Sequence, residues 1–168
     1  MSPGLLRKSP TEPIAISATL SASFCTPADA QELGAIFAGM EPWSRYPFTA
    51  CALETYLARD EAGAPRYAIR LQNRLAGALG LRLNWLRGPY IQFLGIVPGA
   101  QGEGAGSHVL DKLVEEARAS GERNLWVAAS AFNTGALRFY ERNGFVRVAE
   151  LDGLVQEGIG EILLRKRL

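Results

Sequence analysis

Only one histidine and two cysteines occur in these 168 residues. Cys25 and Cys51 stand far apart and His108 is alone, so the chain offers no ligand cluster with the spacing of a structural zinc site, and no metal is expected. Disulfide staples are not needed either, because a chain of this length buries a sizeable core without them. A reducing cytosol is the simplest setting, and the protein is expected to be cytoplasmic. An excess of charge of one sign is also missing. Eighteen basic residues against seventeen acidic ones leave a formal charge of +1, which gives no footprint for nucleic acid or for an anionic membrane; neither is expected as a partner. No apolar run approaches the ~20 residues that span a bilayer. The stretch IAISATLSASFC, preceded by Arg7 and Lys8, superficially resembles a secretion signal, but its apolar content is too low. Ile14, Ile16, Ala18 and Leu20 instead alternate with smaller or polar residues, as in a half-buried strand. Residues 1–12 are expected to form a loose, flexible arm and residues 13–168 a single domain, since no linker, repeat or low-complexity tract interrupts them.

The remaining pattern is a succession of well-punctuated elements. Thr26-Pro27-Ala28-Asp29 reads as a helix start, with Thr26 as cap and Pro27 in the first turn; Leu33, Ile36, Phe37 and Met40 then share a face. Gly39 and Pro42 close this helix. An aromatic loop, Glu41 to Pro47, leads to a second helix over 49–58, and the pair frames a candidate acceptor site unless Trp43 and Tyr46 merely cover the core. Three strands follow, 67–71, 76–85 and 90–97, with turns at Asn73-Arg74 and Arg87-Gly88-Pro89 that predict an antiparallel meander. A helix from about Gly104 to Gly121 presents Gly106, Leu110, Leu113, Val114 and Ala117 on one side, with His108 on its polar side. The buried strand 124–130 then completes a strand-helix-strand crossover, so it lies parallel to the strand at Tyr90. Asn133 caps a short helix ended by Gly144, and a hairpin through Gly153 to Gly160 closes the chain. The sum is an α+β fold with a mixed, mostly antiparallel central sheet flanked by about four helices.

The most informative stretch is Tyr90 to Gly106, YIQFLGIVPGAQGEGAG. Its charge-free strand must stop at Pro98, which has no N–H for a ladder. The helix start that follows leaves several backbone N–H groups without intrahelical partners, at the positive end of the helix dipole. Phosphate oxygens suit such a place. Glycine at 104 and 106 keeps side chains from holding a ligand away from those amides and permits positive φ. Ser107 stands where a dinucleotide fingerprint needs its third glycine, and no Gly-Lys-Ser/Thr follows, so neither a Rossmann nor a P-loop reading fits.

Two signals occur in order: a strand ending in Gln101-Gly102-Glu103-Gly104-Ala105-Gly106, and then Asn133 with Phe139-Tyr140-Glu141-Arg142-Asn143-Gly144-Phe145. Together they make residues 65–168 resemble the GNAT superfamily of acyl-CoA-dependent N-acyltransferases, whose pyrophosphate loop has the form Gln/Arg-x-x-Gly-x-Gly/Ala. The first 60 residues fit that family's opening strand and helix pair in outline. The resemblance implies acetyl-CoA as cosubstrate. Leu94, Gly95 and Ile96 would then follow the pantetheine arm, and Gln101, Gly102, Glu103, Gly104, Ala105 and Gly106 would hold the pyrophosphate. Asn133, Phe139 and Tyr140 would line the thioester end, the cap role of Asn133 being compatible with this.

The implied reaction is direct attack of a primary amine on the thioester, the amine belonging to a small molecule or to a peptide or protein N-terminus. A backbone N–H near Ile96 would polarise the carbonyl. Tyr140, a phenol with a reference pKa near ~10, would protonate the leaving sulfur. The amine must also lose a proton, and here the chain departs from one branch of the family. Enzymes that acetylate ribosomal protein N-termini often carry a glutamate on the strand after the cofactor helix, at the position matched by Ala128. The remaining candidates for the base are Glu41, first by its place beside Trp43, then Glu161, with Glu54 or a water chain after them. Loss of that glutamate sustains an alternative, a non-catalytic acyl-CoA-binding sensor or interaction module. A homodimer would suit such a fold, although no residue specifies one.

Overall fold

The computed structural model describes residues 4–6 and 12–168. Helix α1 (Pro27–Ala38) starts on a reciprocal capping box: the Thr26 hydroxyl accepts from the Asp29 N–H while the Asp29 carboxylate accepts from the Thr26 N–H, both at 3.1 Å. Strands β1 (Ile14–Ala15) and β2 (Leu20–Phe24) precede it. The expected single strand from Ile14 to Leu20 is therefore a tight hairpin, in which the N–H groups of Ile16 and Ser17 both donate to the Leu20 carbonyl. Helix α2 (Ala50–Ala58) is capped by Thr49, and a single 3₁₀ turn at Trp43–Arg45 joins it to α1.

The meander follows as β3 (Arg66–Leu71), β4 (Arg74–Trp85) and β5 (Gly88–Ile96). Its turns fall one residue earlier than the sequence suggests. Gln72 and Asn73, and likewise Leu86 and Arg87, carry the positive φ angles of tight two-residue hairpins, and Pro89 lies inside β5. Helix α3 (Ala105–Ala119), β6 (Asn124–Ser130), helix α4 (Thr134–Arg142), β7 (Val146–Asp152) and β8 (Gly160–Arg167) complete the chain. One sheet of order β1-β2-β3-β4-β5-β6-β8-β7 results, antiparallel except between β5 and β6. This is the mixed, mostly antiparallel sheet with four helices that the sequence predicts.

Strand alternation divides the apolar side chains between two cores. Tyr67, Ile69, Leu79, Leu81 and Ile91 pack with Val109, Leu110 and Leu113 of α3, whereas Ala68, Ala78 and Phe93 pack with Leu33, Phe37, Leu53 and Leu57 of α1 and α2. Ile91 and Phe93 should share a face at a period of two. They do not, because the β4–β5 register shifts by one residue between Gly80/Phe93 and Leu81/Ile91, leaving Gln92 as a bulge. Phe93 is thereby sent to the α1/α2 side.

The expected loose arm over 1–12 is only partly within the described residues; 1–3 and 7–11 lie outside them. Gly4–Leu6 depart from the expectation. Leu5 is fully buried in the main core, its carbonyl accepts from the Tyr67 hydroxyl at 3.0 Å, and the Leu6 N–H donates to Glu116 Oε2 at 3.0 Å. An apolar side chain next to two hydrogen bonds offsets the entropy of ordering this short segment.

Candidate active site

Strands β5 and β6 are parallel partners only at Tyr90/Trp126 and Ile91/Val127. Beyond the Gln92 bulge they part, and the β6-facing edge of β5 is left unpaired along Leu94, Gly95 and Ile96. Cavities open on the two sides of this wedge, of about 510 and about 550 Å³, and they share Trp43, Leu94, Asn133 and Ala136 as walls. A group bound in one thus meets a group bound in the other at that junction.

One cavity runs from Leu94, Gly95 and Ile96 to Gln101, Gly102, Gly104, Ala105 and Gly106. Gly102 and Gly104 have φ of +83° and +77°, a conformation that Cβ-bearing residues rarely adopt. Gly104 is the N-cap of α3, and among the described residues the N–H groups of Gly102 to Ser107 make no hydrogen bond. These amides, at the positive end of a 15-residue helix, fit a diphosphate. Arg142 also lines this cavity. Gln101 is exposed at the cavity's edge, and its Nε2 donates to the carbonyl of Ile96, the last residue of β5, at 2.9 Å. Glu103 is exposed and is not part of the wall. Gly106 is small for a different reason from the one its loop suggests: a Cβ there would stand 3.0 Å from Cζ of Phe139, so it lets α3 and α4 approach.

Asn133, the N-cap of α4, stands at the junction, and Tyr140 of the same helix lines the second cavity. The Asn133 carbonyl oxygen accepts from the Ala136 N–H at 3.1 Å, the cap predicted from sequence, and the residue still borders both cavities. Tyr140 is buried between Phe139 and Phe145, with ring centroids at 5.1 and 5.5 Å. Burial pushes its phenol above the ordinary value of 10, so it holds its proton throughout the physiological range.

The second cavity is walled by Trp43, Tyr46, Phe48, Tyr56, Phe93 and Tyr140, with Glu161 as its only charged side chain. Trp43 stacks on Phe93 at 4.6 Å, which explains the need for the bulge. Glu161 comes from β8, directly opposite Ser130 of β6 in the antiparallel register, and is only 5% exposed. The Tyr46 hydroxyl donates to Glu161 Oε1 and lies 2.6 Å from the Ser130 hydroxyl, 84 residues away along the chain. With its one proton committed to the carboxylate, Tyr46 accepts from Ser130. Burial first, and then the bond to Glu161, push the Tyr46 phenol up to about 12. Ala128, the position of the absent strand glutamate, also faces this cavity.

The other carboxylates lie elsewhere. Glu41, first choice from sequence, is exposed, pairs with Arg45 at 2.7 Å, and borders the loop-side cavity rather than this one. Glu54 borders neither, and His108 is exposed on α3. Ser130 and Gln92 escape sequence reasoning. Ser130 carries no local mark beyond ending a strand, and Gln92 matters only because of a bulge that no local pattern announces.

Two cavities meeting at a splayed parallel strand pair, one floored by free amides and the other by a carboxylate, define a two-substrate group-transfer enzyme. The sequence model of the acetyltransferase (GNAT) family matches residues 28–145, and the chain belongs to that family of acyltransferases. No curated protein matches the chain by sequence. The fold is similar to that of the Salmonella typhimurium acetyltransferase that modifies the N-terminal serine of ribosomal protein L7/L12, with a TM-score of 0.75 at 16% identity, covering 94% of this chain and 99% of that one. It is also similar to a RimL L7/L12 alpha-N-acetyltransferase in complex with coenzyme A (TM-score 0.72, 19% identity, 94% and 98% covered). Arabidopsis thaliana NAA60 in complex with a bisubstrate analogue gives a TM-score of 0.68 at 18% identity, with 89% and 99% covered. Among the described residues no helix is long and apolar enough to cross a membrane, and no group of three or more metal-ligating side chains is present.

Proposed function

We propose that this protein is an acetyl-CoA-dependent N-acetyltransferase acting on a primary amine. The carrying observation is the junction of the two cavities at Trp43, Leu94, Asn133 and Ala136, with Tyr140 in the wall of the second cavity. Acetyl-CoA, when bound, supplies an acyl group activated as a thioester. The free amides of Gly102 to Ser107, with Arg142, would bind its diphosphate, and the edge of β5 that β6 leaves uncovered at Leu94, Gly95 and Ile96 would accommodate the pantetheine amides once Gln101 releases the Ile96 carbonyl. A β5 amide near Ile96 stabilises negative charge on the carbonyl oxygen.

Glu161 holds the acceptor nitrogen and takes up its proton, aligned by the Tyr46 hydrogen bond. Tyr140 holds a proton at its hydroxyl for the departing sulfur. The nitrogen–carbon bond forms as the carbon–sulfur bond breaks. The ammonium nitrogen sheds two protons in becoming the amide, one taken up by Glu161 before attack and one after it; Tyr140 gives one to the sulfur and is reprotonated, so N-acetyl product, free CoA and one released proton balance the step. The free thiols of Cys25 and Cys51 suit a reducing, cytoplasmic setting.

Tyr140→Phe separates binding from chemistry, because the phenol's wall position needs no hydroxyl for packing. The variant should keep its affinity for acetyl-CoA and lose about 10²-fold in kcat, read as thiol release with an amine acceptor. A change below about 2-fold would remove Tyr140 from the proton path. Saturable acetyl-CoA binding with no transfer to any amine would favour a cofactor sensor instead.

A further inference from the structure

The acceptor side of the junction is chemically lopsided. Of the side chains that wall it, Glu161 alone is charged, and none is Lys, Arg or His. Glu161 is 5% exposed, and none of the ion pairs among the described residues involves it. A buried carboxylate bonded through one oxygen by Tyr46 is suited to a single ammonium group at the other. Three neighbouring oxygens are already engaged: that of Ser130 with Tyr46, Gln92 Oε1 with the Tyr56 hydroxyl at 3.2 Å, and the Asn133 oxygen with its helix cap. An acceptor bearing a carboxylate or phosphate would bury that anion facing no cation. A second ammonium would likewise find no counter-charge.

The rest of the surface is apolar. Trp43, Phe93 and Tyr56 form a contiguous aromatic floor, with Trp43–Phe93 and Tyr56–Phe93 centroids at 4.6 and 5.8 Å. Phe48 at the mouth is 37% exposed, and Leu154 and Val155, from the turn between β7 and β8, are 55% and 46% exposed. Large apolar side chains left in water around a concave entrance mark a place where an apolar group is received.

We infer that the acceptor is a small monocationic primary amine carried on an apolar, aromatic-sized body, with Glu161 reading the ammonium and the Trp43–Phe93–Tyr56 surface reading the body. This rests on the transferase reading of the same site. It narrows the acceptor to amines with an apolar body and without a carboxylate or a second cation.

The test compares 2-phenylethylamine, phenylalanine, spermidine, glucosamine and a peptide with N-terminal serine, each with purified protein and acetyl-CoA. Thiol release and product mass are followed, and calorimetry measures amine binding to the CoA-loaded protein. 2-Phenylethylamine is expected to exceed each of the others at least about 10-fold in kcat/KM. Glu161→Gln should weaken its binding by about 10-fold or more and leave binding of the neutral analogue 2-phenylethanol within about 2-fold. Phe48→Ala, at a half-exposed mouth position that does not support the core, should weaken binding of both analogues. Equal or faster acetylation of phenylalanine, spermidine, glucosamine or the peptide overturns the acceptor assignment while leaving the transferase reading intact. So does equal loss of amine and alcohol binding in Glu161→Gln. Failure to bind acetyl-CoA, or transfer to no amine despite saturable binding, overturns the transferase reading itself.

Discussion

Gly95 has a role that its place in an apolar strand does not announce. A Cβ there would lie 2.6 and 2.8 Å from Phe37 ring atoms and 2.8 Å from Cη2 of Trp43, and these rings are locked edge-to-face and stacked against Phe93. Gly95→Ala is expected to cost about 1–3 kcal/mol by overpacking, read as a lower denaturation midpoint, and to weaken acetyl-CoA binding because Trp43 borders both cavities. Unchanged stability would show that the stack yields freely. Tyr46 illustrates the opposite case, a residue whose loop position suggests simple core cover. Its hydroxyl instead fixes a buried carboxylate drawn from the far end of the chain.

Among the elements, α1 shows how much is written locally. Thr26, Pro27 and Asp29 specify its first turn without tertiary help, and the capping box forms as the spacing demands. Thr26→Ala is expected to lower stability by about 1 kcal/mol, seen as a shifted thermal midpoint with activity per folded molecule retained. A loss below a few tenths would mean that Asp29, which also pairs with Arg70 at 2.6 Å, holds the turn by itself. The β5 strand is the contrasting element. Its composition foretells an extended segment ended by Pro98, yet the bulge at Gln92 that turns Phe93 toward Trp43 depends on the partner strand, where Gly80 sits against Phe93.

For the whole molecule, the anchoring of Gly4–Leu6 ties the N-terminal segment to the face of the sheet covered by α3. Leu5→Ala is expected to destabilise the fold by about 2–5 kcal/mol in denaturant titrations, whereas a surface segment would tolerate it at little cost. Alkaline stability follows from several buried groups acting together. Burial is the main cause pushing the phenols of Tyr46 and Tyr56 up to about 12 from 10, and the Cys25 thiol up to about 12 from 9. The unfolded chain gives up these protons at the ordinary values while the folded chain keeps them, so the unfolded state binds fewer protons in that window and stability falls as pH rises from about 9 to about 12. Below that window these groups add no pH dependence. A urea midpoint that stays constant from pH 8 to pH 11 would contradict the shifts.

By itself the sequence determined the succession of elements, the helix caps, the meander and the glycine-rich loop before α3, because each rests on interactions spanning a few residues: a hydroxyl reaching an amide three positions on, a proline lacking an N–H, a glycine at positive φ. The parallel pairing of β5 with β6 was also legible, since a strand-helix-strand crossover permits little else, whereas the insertion of β8 between β6 and β7 was not. Tertiary structure alone decided that Glu161, and not Glu41, faces the aromatic cavity, and that Leu5 belongs to the core. Both depend on registers and contacts between residues roughly sixty to more than a hundred positions apart, where the free energy comes from burial and shape rather than from local pattern.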